Sequence, residues 1–214
     1  MCIRDRSKSG INNPFEKIKR AYEYSSVETA KEALSQIGAD ILTNGLPDVL
    51  SPFIIGITGY GNVSNGVQEM LSLLPTKEIL PEELLNFSQL PNSKNIIYKV
   101  VFYEKDMAQR KDGTPFNLND YYSHPENYES IFQQYLPCLN LLIHASYWDK
   151  RYPRVVEEQF IVDNWRKPNF RLLGIGDISC DINGGVEITK IATEIYTHVS
   201  RKSLQAIKSP FDDL

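Results

Sequence analysis

Gly59-Tyr60-Gly61-Asn62-Val63-Ser64 carries residue types that let a main chain close around a phosphate. Gly59 can take a turn conformation that strains other residues. Gly61 has no side chain, so the backbone there can approach an anion. The third position of a G-x-G-x-x-G pattern is Ser64, small but not glycine, with Gly66 two residues on. The match is partial, and alone it also describes a glycine-rich turn that only packs a helix on a strand. If a buried strand precedes it and a helix follows, the amides of that helix's first turn would face a dinucleotide pyrophosphate. Gly59, Tyr60, Gly61, Asn62, Val63 and Ser64 are thus the candidate contacts for NAD or NADP.

Other candidates lie where strands should end. An acid roughly 20 residues beyond such a turn hydrogen-bonds the adenosine ribose, and Glu82 and Glu83 stand near that distance. Pro81-Glu82-Glu83 equally reads as a solvated helix start, where acids are common. The segment 176–185 holds Asp177, Asp181 and the pair Gly184-Gly185. An acid there, just past a buried strand, would face the ligand edge of an α/β sheet; an Asx-turn or a helix cap is the plain alternative. Ser146 and Tyr147, with Trp148, follow another apolar strand and would wall the same pocket or simply pack. His124, His144 and His198 lack metal-ligand spacing, so no metal is expected. No Gly-x-Ser-x-Gly supports serine hydrolysis. Tyr121, Tyr122 and Tyr128 read as packing residues.

These residues need a scaffold. Phe53-Ile54-Ile55-Gly56-Ile57-Thr58 is a continuous apolar run of strand length, as in a strand buried on both faces. Val63, Val67, Met70, Leu71 and Leu74 then mark an amphipathic helix ended by Pro75. A short strand over 77–80 would complete the start of a βαβ unit. Further strands are expected at 96–102, 139–143 and 170–175, with helices opening at Pro125 and Pro153 and a polar, Tyr-rich excursion over 109–124. Ahead of them, Asn13-Pro14 starts a helix, Ser25 and Glu28 form a capping box, and Gly38 fits a helix stop. The alternation predicts an α/β class: a Rossmann-type, doubly wound, mostly parallel sheet with flanking helices.

The chain has 214 residues, 42% apolar and 23% charged, with a formal net charge of -4. That is an ordinary soluble composition, and scattered basic residues give no nucleic-acid groove. No apolar run approaches the roughly 18 residues that cross a bilayer. Cys2, Cys138 and Cys180 are too few and too scattered for a disulfide framework, so a reducing compartment is expected. The cytoplasm is the expected location, or the mitochondrial matrix for a eukaryotic source.

Four segments together resemble a known family. They are Thr58–Gly66, Tyr121–Tyr128, Tyr147–Arg154 and Asp177–Glu187. In order and spacing they resemble the lysine–2-oxoglutarate reductase region of saccharopine-forming enzymes, within the alanine dehydrogenase and transhydrogenase-like group. The resemblance runs from about Gly45 to Glu187. It implies an oxidoreductase acting on CH-NH groups, with lysine, 2-oxoglutarate and saccharopine as small-molecule partners and NAD or NADP as cofactor. It also implies a catalytic strand-end acid at Asp181, although Ile182-Asn183 stand where the group often has one residue. The family carries a substrate domain, with an acid–base Lys and His, before the dinucleotide domain. On that basis residues 1–13 are expected to be a disordered or non-native lead-in. Residues 14–45 would be linking helices from a truncated substrate domain, 46–190 the Rossmann domain, and 191–214 the start of a return segment. A non-catalytic dinucleotide-binding module, an alanine dehydrogenase-like enzyme with another amino acid, and a methyltransferase remain as alternatives. Oligomeric state is not legible.

Overall fold

The computed structural model describes residues 13–86, 91–178 and 184–187. Two 3-10 turns, Pro14–Lys17 and Ala21–Glu23, lead into helix α1, Val27–Asn44. The cap of α1 is Ser26 rather than Ser25. Its hydroxyl accepts from the Thr29 amide at 3.3 Å, and Thr29 Oγ1 accepts from the Ser26 amide at 3.2 Å. The helix continues through Gly38 and stops at Gly45, where φ is +74°. Gly38 serves close packing instead, since a Cβ there would overlap the Leu73 carbonyl oxygen.

Strand β1, Phe53–Thr58, is buried at every position. It is followed by α2 (Asn62–Leu71), β2 (Thr76–Glu78), α3 (Pro81–Leu85) and β3 (Ile97–Phe102). An excursion then carries α4 (Glu104–Met107), β4 (Ala108–Arg110), α5 (Leu118–Ser123) and β5 (Tyr128–Ser130). The main sheet resumes with β6 (Leu141–His144), then α6 (Glu158–Asn164) and β7 (Gly174–Asp177). Five parallel strands lie in the order β2-β3-β1-β6-β7, while β4 and β5 form a separate antiparallel ribbon. This is the expected Rossmann-like α/β architecture.

Its layering follows the alternation of side chains along a strand. Phe53, Ile55 and Ile57 face one cluster, with Ile37 and Ile41 of α1 and Val67 and Leu71 of α2. Ile54 faces the other, with Tyr98, Val100 and Phe102 of β3 and with Phe132, Leu136 and Leu139. Both faces are therefore covered, as a parallel sheet requires.

β2 does not pair with β1; Thr76 pairs with Ile97, and Ile97 pairs with Phe53. The central place beside β1 goes to the later strand because it is covered on both faces. Five of the six residues of β3 are buried, whereas β2 has three residues and none buried.

Pro125 opens only a 3-10 turn, Pro125–Asn127, not a helix to 135. Tyr128 and Phe132 would share one face of a helix, yet they enter two different apolar clusters. Pro153 does not open α6 either. The amides of Val155 and Val156 both donate to the Gly185 carbonyl, at 2.9 and 3.0 Å, which holds that stretch extended until Glu158. Among the described residues no helix is long and apolar enough to cross a membrane.

Candidate functional site

From β1 the chain leaves toward β2 and β3, whereas from β6 it leaves toward β7. The gap between the carboxyl ends of β1 and β6 is thus a topological switch point, where open α/β sheets bind ligands. Gly59 sits at that gap with φ +82°. A Cβ on it would lie 2.9 Å from Ser146 Cα and 3.2 Å from the Ala145 carbonyl oxygen. The turn can therefore nestle against the end of β6 only as glycine.

Gly61 caps α2, and nothing stands within 4 Å of where its Cβ would be. Its glycine requirement is not set by the protein around it. No side chain caps α2 and no acid lies in its first turn. The leading amides of Asn62, Val63 and Ser64 would thus meet an anion without competition from a side-chain cap, with the helix dipole in the favourable sense. Ser64 is fully buried and accepts from Gln68 Nε2 at 3.3 Å. It fills the tight helix–sheet place that the third glycine of the pattern would take.

Beneath the turn, Thr58 joins the two strand ends. Its Oγ1 accepts from the Ala145 amide at 3.2 Å and from the Ser146 hydroxyl at 3.0 Å. With both lone pairs used, its proton goes to His144 Nδ1 at 2.9 Å. Nδ1 then accepts in this arrangement. His144 is fully buried, and Gly185 passes so near it that a Cβ would lie 2.8 Å from Nε2.

A cleft of about 300 Å³ opens over the turn, with Gly59, Tyr60 and Gly61 on one side and the excursion on the other. Tyr60 stacks on Tyr103, with ring centroids 4.8 Å apart. Its hydroxyl donates to Glu104 Oε1 at 3.3 Å, and Tyr122 donates to the same oxygen at 2.7 Å. Burial, then the bond to Glu104, pushes the Tyr122 phenol up, so it stays a proton donor. Tyr121 is raised mainly by burial and packs with Tyr128, Phe116 and Tyr152. Across the cleft, the Arg154 guanidinium lies 5.6 Å over the Trp148 ring and pairs with Glu187 at 3.3 Å. Tyr147 is 80% exposed, with its hydroxyl donating to Asp149. Arg151 holds that carboxylate well below the usual range.

The structure brings together Gly59, Tyr60, Gly61, Ser146 and Tyr147 along one cleft, with Asn62, Val63 and Ser64 opening the helix beside it. Asp177 ends β7 in register with His144 and is not among the cleft-lining residues. Glu82 is in the first turn of α3, beyond a strand that β3 separates from β1, and it does not line the cleft. Asp181 falls outside the described residues. Glu104, Tyr122, Tyr152 and Arg154 line the cleft and carry no role in the residue-by-residue reading. Glu104 had a signal: an acid two residues beyond a six-residue apolar strand. Tyr122 and Arg154 stand inside two of the family-like segments. No group of three or more His, Cys, Asp or Glu side chains that could hold a metal occurs among the described residues.

No protein-family model matches the chain. It is 35% identical over 198 residues to the alpha-aminoadipic semialdehyde synthase of Arabidopsis thaliana, a match covering 87% of this chain and 18% of that protein. It is 28% identical over 200 residues to the mitochondrial alpha-aminoadipic semialdehyde synthase of Bos taurus and 26% identical to that of Mus musculus, each match covering 87% of this chain and 22% of the relative. The chain thus spans about a fifth of the length of these curated relatives. Over that segment it is homologous to the alpha-aminoadipic semialdehyde synthases, which are of the saccharopine-forming group that the four segments resemble.

Proposed function

We propose that this chain is the dinucleotide-binding portion of a lysine–2-oxoglutarate reductase, an NAD(P)-dependent oxidoreductase of lysine metabolism that forms saccharopine. The observation that carries the reading is the turn Gly59–Gly61 at the β1/β6 switch point, in a chain similar to alpha-aminoadipic semialdehyde synthases. The residues fit the group. Gly61 leaves open the space a Cβ would fill, and the uncapped start of α2 suits a pyrophosphate.

In the proposed reaction the ε-amine of lysine condenses with the keto carbon of 2-oxoglutarate and loses water. A bound reduced nicotinamide supplies the hydride for the resulting imine carbon, and a proton to nitrogen completes the secondary amine. This chain's residues bind and orient. The amides of Asn62, Val63 and Ser64 hold the pyrophosphate. Thr58, through Ala145 and Ser146, fixes the β6 end against which the turn rests. Trp148, Tyr152 and Pro153 give the cleft an apolar wall. Asp181 is proposed to act near the nicotinamide, on the strength of the family-like motif alone. The proposed location is the cytoplasm, or the mitochondrial matrix for a eukaryotic source, which the names of the bovine and mouse relatives favour.

The test has two stages. The chain is first titrated with NADH and NADPH by fluorescence; no response to either refutes dinucleotide binding. Lysine- and 2-oxoglutarate-dependent loss of the reduced-cofactor absorbance is then followed, in the chain and in a longer protein that carries it. Binding with no lysine-dependent loss in either selects a binding module instead.

A further inference from the structure

Independently of the dinucleotide reading, we infer that Thr114 is a phosphorylation site for a proline-directed protein kinase, and that its phosphate loosens α5 by capturing Arg110. The site lies in the turn by which the chain leaves β4, and Thr114 does not line the cleft. Residues 111–115 are all exposed. The Gly113 amide donates to the Arg110 carbonyl at 3.1 Å, with Gly113 at φ +76°, so the turn projects as a closed loop. Exposed loops of this kind are the parts of a fold that other enzymes reach. Pro115 follows Thr114, and a proline biases the residue before it toward extended backbone, the form in which a kinase cleft takes a peptide. The basic pair just upstream is occupied in the folded chain. Arg110 is held by Asp112 and Asp120, and Lys111 Nζ donates to the Glu126 carbonyl at 2.7 Å. The exposed proline is therefore the feature a kinase can read here. Of the other Ser-Pro steps, Ser51 is buried before Pro52, and Ser209-Pro210 lies outside the described residues.

Thr114 also ends a chain of polar bonds that reaches α5. Its amide and its hydroxyl both donate to Asp112 Oδ1, at 3.0 and 2.7 Å. Asp112 in turn accepts from Arg110 Nε and Nη2, at 3.3 and 3.1 Å. Arg110 Nη1 donates to Asp120 Oδ2 at 2.8 Å, where the Tyr128 hydroxyl also donates at 3.0 Å. Asp120 stands in the first turn of α5. Phosphoryl transfer from ATP forms a bond from Thr114 Oγ1 to the γ-phosphorus and breaks the bridge to the β-phosphate. ADP leaves with that electron pair, and the hydroxyl proton passes to a base of the kinase. The product loses the donor that Asp112 accepts and sets a charge of about -1.5 to -2 beside that carboxylate. Arg110 is the cation within reach, and a guanidinium pairs with phosphate in the same forked geometry as with carboxylate. Drawn toward residue 114, it leaves Asp120.

The folded chain is incubated with ATP and a mitogen-activated protein kinase, and phosphate is mapped by peptide mass spectrometry beside T114A, P115A and R110Q, with melting curves to confirm folding. Phosphate is expected on Thr114 of the unaltered chain and should fall at least about tenfold in P115A. Hydrogen exchange is then followed at the amides of Tyr121 and His124, which bond within α5 to Asn117 and Asp120. Phosphorylation should speed their exchange at least about fivefold, and R110Q should do so without phosphate and gain little more from it. No phosphate on Thr114 of the folded, unaltered chain overturns the site. Equal labelling of P115A overturns the proline-directed reading. Phosphate on Thr114 with unchanged exchange in α5 overturns the capture of Arg110. Because both primary measurements use the unaltered chain, a variant that fails to fold does not protect the proposal.

Discussion

Gly59 and Gly61 are two residues apart and look alike in sequence, yet alanine should do opposite things at the two positions. At Gly59 φ is +82°, where an L-residue costs about 1–2 kcal/mol. Its new Cβ would also press on Ser146 Cα at 2.9 Å. That backbone cannot yield freely, because the Ala145 amide and the Ser146 hydroxyl are both tied to Thr58. Overpacking of this sort adds about 1–3 kcal/mol. G59A should therefore lose about 3 kcal/mol, or roughly 6–12 °C in melting temperature for a chain of this size. Gly61 has φ -78° and ψ -170°, extended values open to any residue, and nothing stands near its Cβ position. G61A should lose less than about 1 kcal/mol of stability. Its methyl would stand where the backbone approaches the pyrophosphate, so NADH binding should weaken about tenfold to a hundredfold. Urea denaturation and a fluorescence titration separate the two effects. If G61A binds NADH as the unaltered chain does, the pyrophosphate does not rest against this turn. If G59A unfolds at the same urea concentration as the unaltered chain, the contact with Ser146 is wrong.

Three further expectations follow from the packing around that turn. T58V keeps the shape of Thr58 but strands the partners of its hydroxyl, and should cost about 2–3 kcal/mol in urea denaturation. T58S, which keeps the hydroxyl, should lie nearer the unaltered chain, and a valine variant as stable as the serine one would contradict the proposed bonding. G185A puts a Cβ 2.8 Å from His144 Nε2 and 3.0 Å from Trp148 Cγ, and should lower the melting point by an amount matching about 1–3 kcal/mol; an unchanged melting curve speaks against that close packing. Burial raises the Asp106 carboxyl above its ordinary value even though it accepts the Tyr103 amide. The folded chain then holds this proton more tightly than the unfolded one, so stability falls as pH climbs from the ordinary carboxylate value through the raised one. D106N keeps an acceptor and loses the charge, so urea midpoints across that window should decline less for the variant; parallel declines would refute the assignment.

The strands of the sheet were the most legible part of the chain, because burial on both faces leaves a continuous apolar run. Phe53–Thr58 has the bounds its composition suggests, and the runs near 96–102 and 139–143 became β3 and β6. The helices after Pro125 and Pro153 were misread for one reason. Proline at a helix start is permissive, not compelling, and tertiary contacts took those residues elsewhere. Tyr128 went to a ribbon cluster, and Val155 and Val156 went to the Gly185 carbonyl. Gly38 shows a similar ambiguity. A glycine near the end of an apolar period reads as a stop, but here it admits the Leu73 carbonyl and the helix continues.

The geometry of the candidate turn was legible where local order decides it, as at Gly59 and Gly61, and the lining of the cleft was illegible where it depends on which strands are neighbours. Spacing along the chain points to Glu82 only if the strand after α2 lies beside β1. Crossover length barely constrains that choice, since α2 can return the chain to the adjacent position or one strand farther out. Burial decides it. The place next to β1 is covered on both faces, and Ile97–Phe102 can fill it with apolar side chains where Thr76-Lys77-Glu78 cannot. Once β3 takes that place, the acid beyond its end, Glu104, lines the cleft, while Glu82 stands after the outer strand and does not. Which of the two acids reaches the cleft is therefore decided by the hydrophobic effect acting on two strands. Reading such a site from sequence requires ranking the candidate strands by how well they tolerate the sheet centre, and only then counting residues from the glycines.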